Sequence, residues 1–121
     1  MNTALIVEDS LTDKEILAGC LQEEGLNVLT AYTAEEAVAK INSYKPDVII
    51  LDVVLPDRSG FEICRELKAQ TETSKIPIII CSTKSGKLNK LWGMKSGANA
   101  YLVKPIDQQE LIETVKSLLR S

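Results

Sequence analysis

Val48-Ile49-Ile50-Leu51-Asp52 is the stretch that decides the fold. Four aliphatic residues in a row, without polar alternation, are the pattern of a strand covered on both faces. Such strands belong to parallel sheets with helices above and below. The run ends in an acid, and Pro56 and then Ser59-Gly60 mark a loop and a helix start. Working outward, short apolar runs recur at Ala4–Val7, Asn27–Ala31, Ile78–Cys81 and Ala100–Val103. The run Val28-Leu29-Thr30-Ala31 is more mixed and suits an edge of the sheet.

Between the runs, apolar residues fall at helical spacing. Ile16, Leu17, Cys20 and Leu21 share one face, and Ala34, Ala37, Val38 and Ile41 another. Phe61, Cys64 and Leu67, then Leu88, Leu91 and Trp92, continue the series, which Leu111, Ile112, Val115, Leu118 and Leu119 close. Thr12-x-x-Glu15, Thr33-x-x-Glu36, Ser59-x-x-Glu62 and Asp107-x-x-Glu110 have the spacing of reciprocal helix caps. Gly25 and Gly97 stand where helices should end, and Pro46, Pro56, Pro77 and Pro105 punctuate loops. Five βα units with right-handed crossovers predict an α/β doubly wound, five-stranded parallel sheet in order 2-1-3-4-5 with five helices. A chain of 121 residues and 13.3 kDa is expected to form one domain over 1–121.

Composition removes several kinds of chemistry. The chain has no histidine, so Ser–His and Cys–His pairs, His-ligated metals and imidazole proton shuttles are excluded. Cys20, Cys64 and Cys81 are odd in number and far apart, as expected of reduced, buried thiols. Fourteen basic against seventeen acidic residues give a net charge of −3, which argues against a nucleic-acid partner. No apolar run approaches the roughly 20 residues of a membrane span, and the N-terminus lacks the basic region and apolar core of a signal peptide. The expectation is a cytoplasmic protein.

In an open parallel sheet, ligands bind beyond the carboxyl ends of the strands, where strand order reverses. At those ends stand Glu8-Asp9, Asp52, Ser82-Thr83 and Lys104-Pro105. Alone, each is an ordinary cap, turn or surface residue. Together they bring three carboxylates, a hydroxyl and an ammonium to one edge. Three crowded carboxylates call for a hard divalent cation, Mg²⁺ or Mn²⁺. A lysine and a hydroxyl beside them supply partners for phosphoryl oxygens, the parts needed to take up a phosphoryl group on a carboxylate.

The set Glu8-Asp9, Leu51-Asp52 with Pro56 and Gly60, Ser82, and Lys104-Pro105 resembles the receiver domain of two-component response regulators, the CheY-like family, from Leu5 to about Leu119. The resemblance implies that Asp52 is the phosphoacceptor, served by a histidine kinase or phosphotransfer domain. It implies a metal site of Glu8, Asp9, Asp52 and the Val54 main-chain carbonyl. Lys104 would contact the phosphoryl group, and Ser82 would swing towards it while Tyr101 follows inward. Pro105 matches a proline after a cis peptide. Val54 and Lys84 match positions that govern acyl-phosphate lifetime. Two residues depart from the commonest pattern: the acid pair is Glu-Asp, and the hydroxyl is Ser instead of Thr.

In the fourth repeat, Thr73-Ser74-Lys75-Ile76-Pro77, Ser82-Thr83-Lys84, Leu91-Trp92-Gly93 and Gly97-Ala98-Asn99-Ala100-Tyr101-Leu102 resemble stand-alone regulators of type IV pilus twitching motility and related phototaxis systems. The implied output is a protein target on the face running from the fourth helix across Tyr101 to the fifth, in a monomer or weak dimer. The implied chemistry is that of a phosphoacceptor, with self-catalysed transfer and dephosphorylation, not of a conventional enzyme. A haloacid-dehalogenase-type phosphatase would need a second acid where Val54 stands. A flavodoxin-like site would not tolerate Glu8-Asp9 beside an anion, and glycine-rich nucleotide loops are absent. The remaining rival is a pseudo-receiver that binds proteins without phosphate.

Overall fold

The computed structural model describes residues 2–120; Met1 and Ser121, the ends of the expected domain, lie outside the described residues. Strands and helices alternate: β1 (Thr3–Val7), α1 (Leu11–Glu23), β2 (Asn27–Ala31), α2 (Ala34–Tyr44), β3 (Val48–Leu51), α3 (Gly60–Ala69), β4 (Ile78–Ser82), α4 (Lys87–Lys95), β5 (Ala100–Val103) and α5 (Gln108–Leu119). The strands form one parallel sheet in order β2-β1-β3-β4-β5, as the sequence predicts, with the mixed run β2 at an edge. β1 and β4 each extend one residue beyond the apolar run, which places Ser82 inside β4.

The pleat sends successive side chains to opposite layers. Leu5, Val7, Ile49, Leu51, Ile78 and Ile80 face one layer, which α2 fills with Ala34, Ala37 and Ile41 and α3 with Ile63, Cys64 and Leu67. Ala4, Ile6, Val48, Ile50, Ile79 and Cys81 face the other, filled by Leu17, Cys20 and Leu21 of α1 and Leu111 and Val115 of α5. This double coverage explains the absence of polar alternation in β3. The three cysteines are free and buried. Among the described residues no helix is long and apolar enough to cross a membrane.

Three expectations are corrected. Ser10, not Thr12, caps α1: its Oγ accepts from the Asp13 N–H at 3.3 Å, so the helix begins two residues early. The α1 face is narrower than its spacing suggests, because Ile16 is exposed while Leu17, Cys20 and Leu21 are buried. Leu88, Leu91 and Trp92 do not join the core and stay 66%, 49% and 56% exposed. In α4 only Gly93 is buried; a Cβ there would lie 2.6 Å from the Tyr101 ring and 3.5 Å from Ile80. The helix therefore rests on its glycine, and its larger side chains point outward.

Candidate functional site at the carboxyl edge of the sheet

β1, β3, β4 and β5 are consecutive neighbours apart from β2 outside β1, so the residues following them share one edge. Backbone bonds set their heights: the Asp52 N–H donates to the Val7 carbonyl at 3.0 Å, and the Lys104 N–H to the Ser82 carbonyl at 2.8 Å. Carboxylate oxygens of Glu8, Asp9 and Asp52 lie within 4.8 Å of one another. Glu8 and Asp52 are buried and Asp9 is half-buried.

Gly60 closes the far side of the site. Its N–H donates to the Val53 carbonyl at 2.7 Å, and a Cβ built on it would meet the Asp52 carbonyl oxygen at 2.1 Å. Only glycine lets α3 begin this close to the strand end. Val54 forms an antiparallel bridge with Ser59 across the same loop. Asp57 ties the loop down at its tip, accepting from the Ala34 N–H at 2.9 Å and the Glu35 N–H at 3.1 Å, the first turn of α2.

Lys104 enters from β5 with its side chain 9% exposed. Its Nζ lies 2.5 Å from Glu8 Oε1, 3.1 Å from Asp13 Oδ2 and 3.5 Å from Asp52 Oδ2. Burial alone would pull this ammonium down, but the bonds to Glu8 and Asp13 and the charge of Asp52 hold it above the ordinary lysine value. Burial pushes the Glu8 carboxyl above its usual 4.5, against the lowering effect of Lys104 and of the Ser10 N–H, which donates to Glu8 Oε2 at 3.1 Å. The Lys104-Pro105 peptide is cis.

Ser82 is fully buried, and its Oγ accepts from the Lys84 N–H at 3.1 Å. Tyr101 pairs with Ile80 across the β4–β5 register, and its hydroxyl donates to the Lys84 carbonyl at 2.6 Å. Its ring is half-buried against Gly93, so the aromatic expected to turn inward already leans on α4. Burial raises its hydroxyl above the usual 10.0, opposed by a hydrogen bond with Ser82. Val54 and Lys84 both line an open cleft of about 350 Å³, together with Pro56, Asp57 and Ser59.

The structure thus brings Glu8, Asp9, Asp52 and Lys104 together, with Ser82 at the end of β4 between β3 and β5, Tyr101 on β5, and Val54 and Lys84 lining the cleft beside them. Asp13 and Asp57 are additions that inspection of strand ends does not find, because both stand on helix or loop positions. The signal was present for Asp13, which lies in the first turn of the helix that rises from the Glu8-Asp9 edge.

Residues 4–116 match the family described as the response regulator receiver domain. The chain belongs to that family. This receiver is 40% identical to the protein PilH of Pseudomonas aeruginosa over 119 residues, 98% of each chain. Among solved structures it resembles a putative response regulator from Chloroflexus aurantiacus, with a TM-score of 0.95 and 36% identity over 99% of this chain and 98% of the other. It also resembles the chemotaxis protein CheY4 of Vibrio cholerae, with a TM-score of 0.90 and 33% identity over 98% of both chains. It is a response regulator of the two-component type.

Proposed function

We propose that residues 1–121 act as a single receiver domain that takes a phosphoryl group from a histidine kinase or phosphotransfer domain onto Asp52. The observation that carries this reading is the position of Asp52: buried, within 4.8 Å of two other carboxylates and 3.5 Å from a lysine ammonium. In the transfer, an Asp52 oxygen attacks phosphorus and the P–N bond of the donor phosphohistidine breaks. The leaving nitrogen keeps the electron pair and takes up a proton. In dephosphorylation, a water oxygen attacks phosphorus, the P–O bond to Asp52 breaks with the electron pair left on the carboxylate, and the water gives up a proton, which releases inorganic phosphate and free Asp52.

Glu8, Asp9 and Asp52, with the Val54 carbonyl, would hold Mg²⁺ or Mn²⁺. The donor set fits a hard divalent ion, since three carboxylates crowd within 4.8 Å and the Lys104 ammonium pairs with Glu8 and Asp52 of the three. Such an ion supplies charge neutralisation for the phosphoryl oxygens. Lys104 supplies a second positive centre, and Ser82 supplies a hydroxyl donor. Val54 and Lys84, which line one cleft, limit the approach of water and so set the lifetime of the acyl phosphate. Leu11 and Ile16, exposed on α1 beside the site, offer apolar contact to the phosphodonor.

The output is a protein contact on α4, β5 and α5. Residues 73–106 contain six lysines and no acid, although the whole chain is acidic. Leu88, Leu91, Trp92 and Met94 stand exposed among Lys87, Lys90 and Lys95. That surface suits an acidic partner with apolar anchors. Capture of the phosphoryl group by Ser82 would disturb the Lys84 backbone that Tyr101 holds, and so reset the ring on Gly93. The 40% identity to PilH supports a role in pilus-based motility or taxis, in the cytoplasm.

Phosphotransfer from a radiolabelled histidine kinase tests the reading. Label should reach wild type with Mg²⁺, fail to reach it with EDTA, and fall sharply with Lys104→Ala. An unlabelled wild type, across a panel of kinases and acetyl phosphate, would leave a protein-binding module that works without phosphate.

A further inference from the structure

Lys104 is shared, and the sharing is uneven. Its two hydrogen bonds go to Glu8 at 2.5 Å and Asp13 at 3.1 Å, while Asp52 is 3.5 Å away and receives only an ion-pair contact. The ammonium that the proposed chemistry needs at Asp52 is therefore drawn towards α1. Asp13 is fixed there by its helix: its own N–H donates to the Ser10 cap, and the positive end of α1 favours a carboxylate in the first turn. Its side chain is 41% exposed, and with Lys104 it lines a small cleft of about 100 Å³ together with Ile16, Leu17, Pro105 and Ile106. The lysine thus has room to exchange partners without repacking the core.

We propose that Asp13 is a positioning residue that parks the Lys104 ammonium away from Asp52, keeping the Asp52 carboxylate open to a divalent cation and restraining the lysine from a phosphoryl group. This rests on the reading of Asp52 as the metal-dependent phosphoacceptor. Asp13 touches neither the acceptor nor the cation site; it acts through Lys104. Two consequences follow with opposite signs. Without the Asp13 charge, Lys104 turns fully to Glu8 and Asp52 and competes with the cation, so metal binding weakens. The same freed lysine meets an anion on Asp52 more readily, so a phosphoryl mimic binds more tightly. A residue that merely supported the fold would weaken both.

The test uses Asp13→Asn and Asp13→Ala, with Asp13→Glu as the conservative variant. Mg²⁺ affinity is measured by calorimetry, and beryllofluoride affinity by fluorine NMR at saturating Mg²⁺. Both neutral variants should lose roughly threefold to tenfold in Mg²⁺ affinity and gain by a similar factor in beryllofluoride affinity, the scale expected of one partly screened charge. The Lys104 ammonium resonance should shift in both, and the glutamate should restore most of each effect. Two affinities that fall together, or neither moving, would overturn the proposal. A wild type that binds neither Mg²⁺ nor beryllofluoride would overturn the underlying reading of Asp52, and this inference with it.

Discussion

Replacing Gly60 by alanine should damage the fold and the site together. The added Cβ would stand 2.1 Å from the Asp52 carbonyl oxygen and 2.9 Å from the Asp52 carbonyl carbon and Val53 Cα. These are backbone atoms that cannot rotate aside. Restoring an ordinary separation of 3.4 Å requires a shift of more than 1 Å between α3 and the end of β3, although the Gly60 N–H is bonded to the Val53 carbonyl at 2.7 Å. Overpacking of this kind costs about 1–3 kcal/mol, and a clash held from both sides belongs at the upper end. Alanine's better helix propensity returns at most about 1 kcal/mol. A net loss near 2 kcal/mol in a chain of this length lowers Tm by about 10 °C. The shift also moves Asp52, so Mg²⁺ affinity measured by calorimetry should fall in the same variant. Gly19→Ala is the control: nothing lies within 4 Å of its added Cβ in the middle of α1, so it should stabilise by about 0.5–1 kcal/mol. A Gly60→Ala protein that melts within a degree of wild type and binds Mg²⁺ normally would show that the α3–β3 approach tolerates a Cβ.

Two further outcomes are expected. Gly93→Ala meets a ring that can move, so it should cost little stability but push Tyr101 off α4 and break its bond to the Lys84 carbonyl; the raised Tyr101 hydroxyl should then titrate nearer 10.0 in ultraviolet difference spectra, and a curve superimposable on wild type would count against the contact. Asp57→Ala should lower Tm at neutral pH by removing the acceptor for two α2 N–H groups. Because hydrogen bonds from the α2 backbone hold the Asp57 carboxyl below its usual 3.8, its contribution is present above that value and lost as pH falls through the lower folded value; a gap between the two melting curves that persists in strong acid would contradict this.

The parts of the fold that were legible in the sequence are those where burial on two sides leaves no alternative. The runs at β1, β3 and β4 admit no solvent-facing residue, so their period and length were decisive, and the strand-end residues then located Glu8, Asp9, Asp52, Ser82 and Lys104. The direction in which α4 faces was not legible. Leu88, Leu91 and Trp92 have core spacing, but a helix seated on Gly93 turns that stripe outward, and spacing does not say which stripe meets the sheet. The start of α1 was ambiguous because Ser10 and Thr12 can both cap; Ser10 prevails, and its Oγ accepts from the Asp13 N–H. Asp13 and Asp57 were hidden because their partners, Lys104 and the first turn of α2, lie 91 residues away and at least 22 residues away. The sequence shows a first-turn acid and a loop acid, and only the assembled edge gives them partners.

Phosphate is expected to arrive on the carboxylate held between Lys104 and the acid pair. Wild-type protein incubated with acetyl phosphate and Mg²⁺, trapped by reduction of the acyl phosphate and mapped by mass spectrometry, measures this directly. One modified residue is expected, Asp52, with no modification after Asp52→Asn or with EDTA, and none at Glu8, Asp9 or Asp13. Modification at another carboxylate, or equal modification of the Asp52→Asn protein, would contradict it.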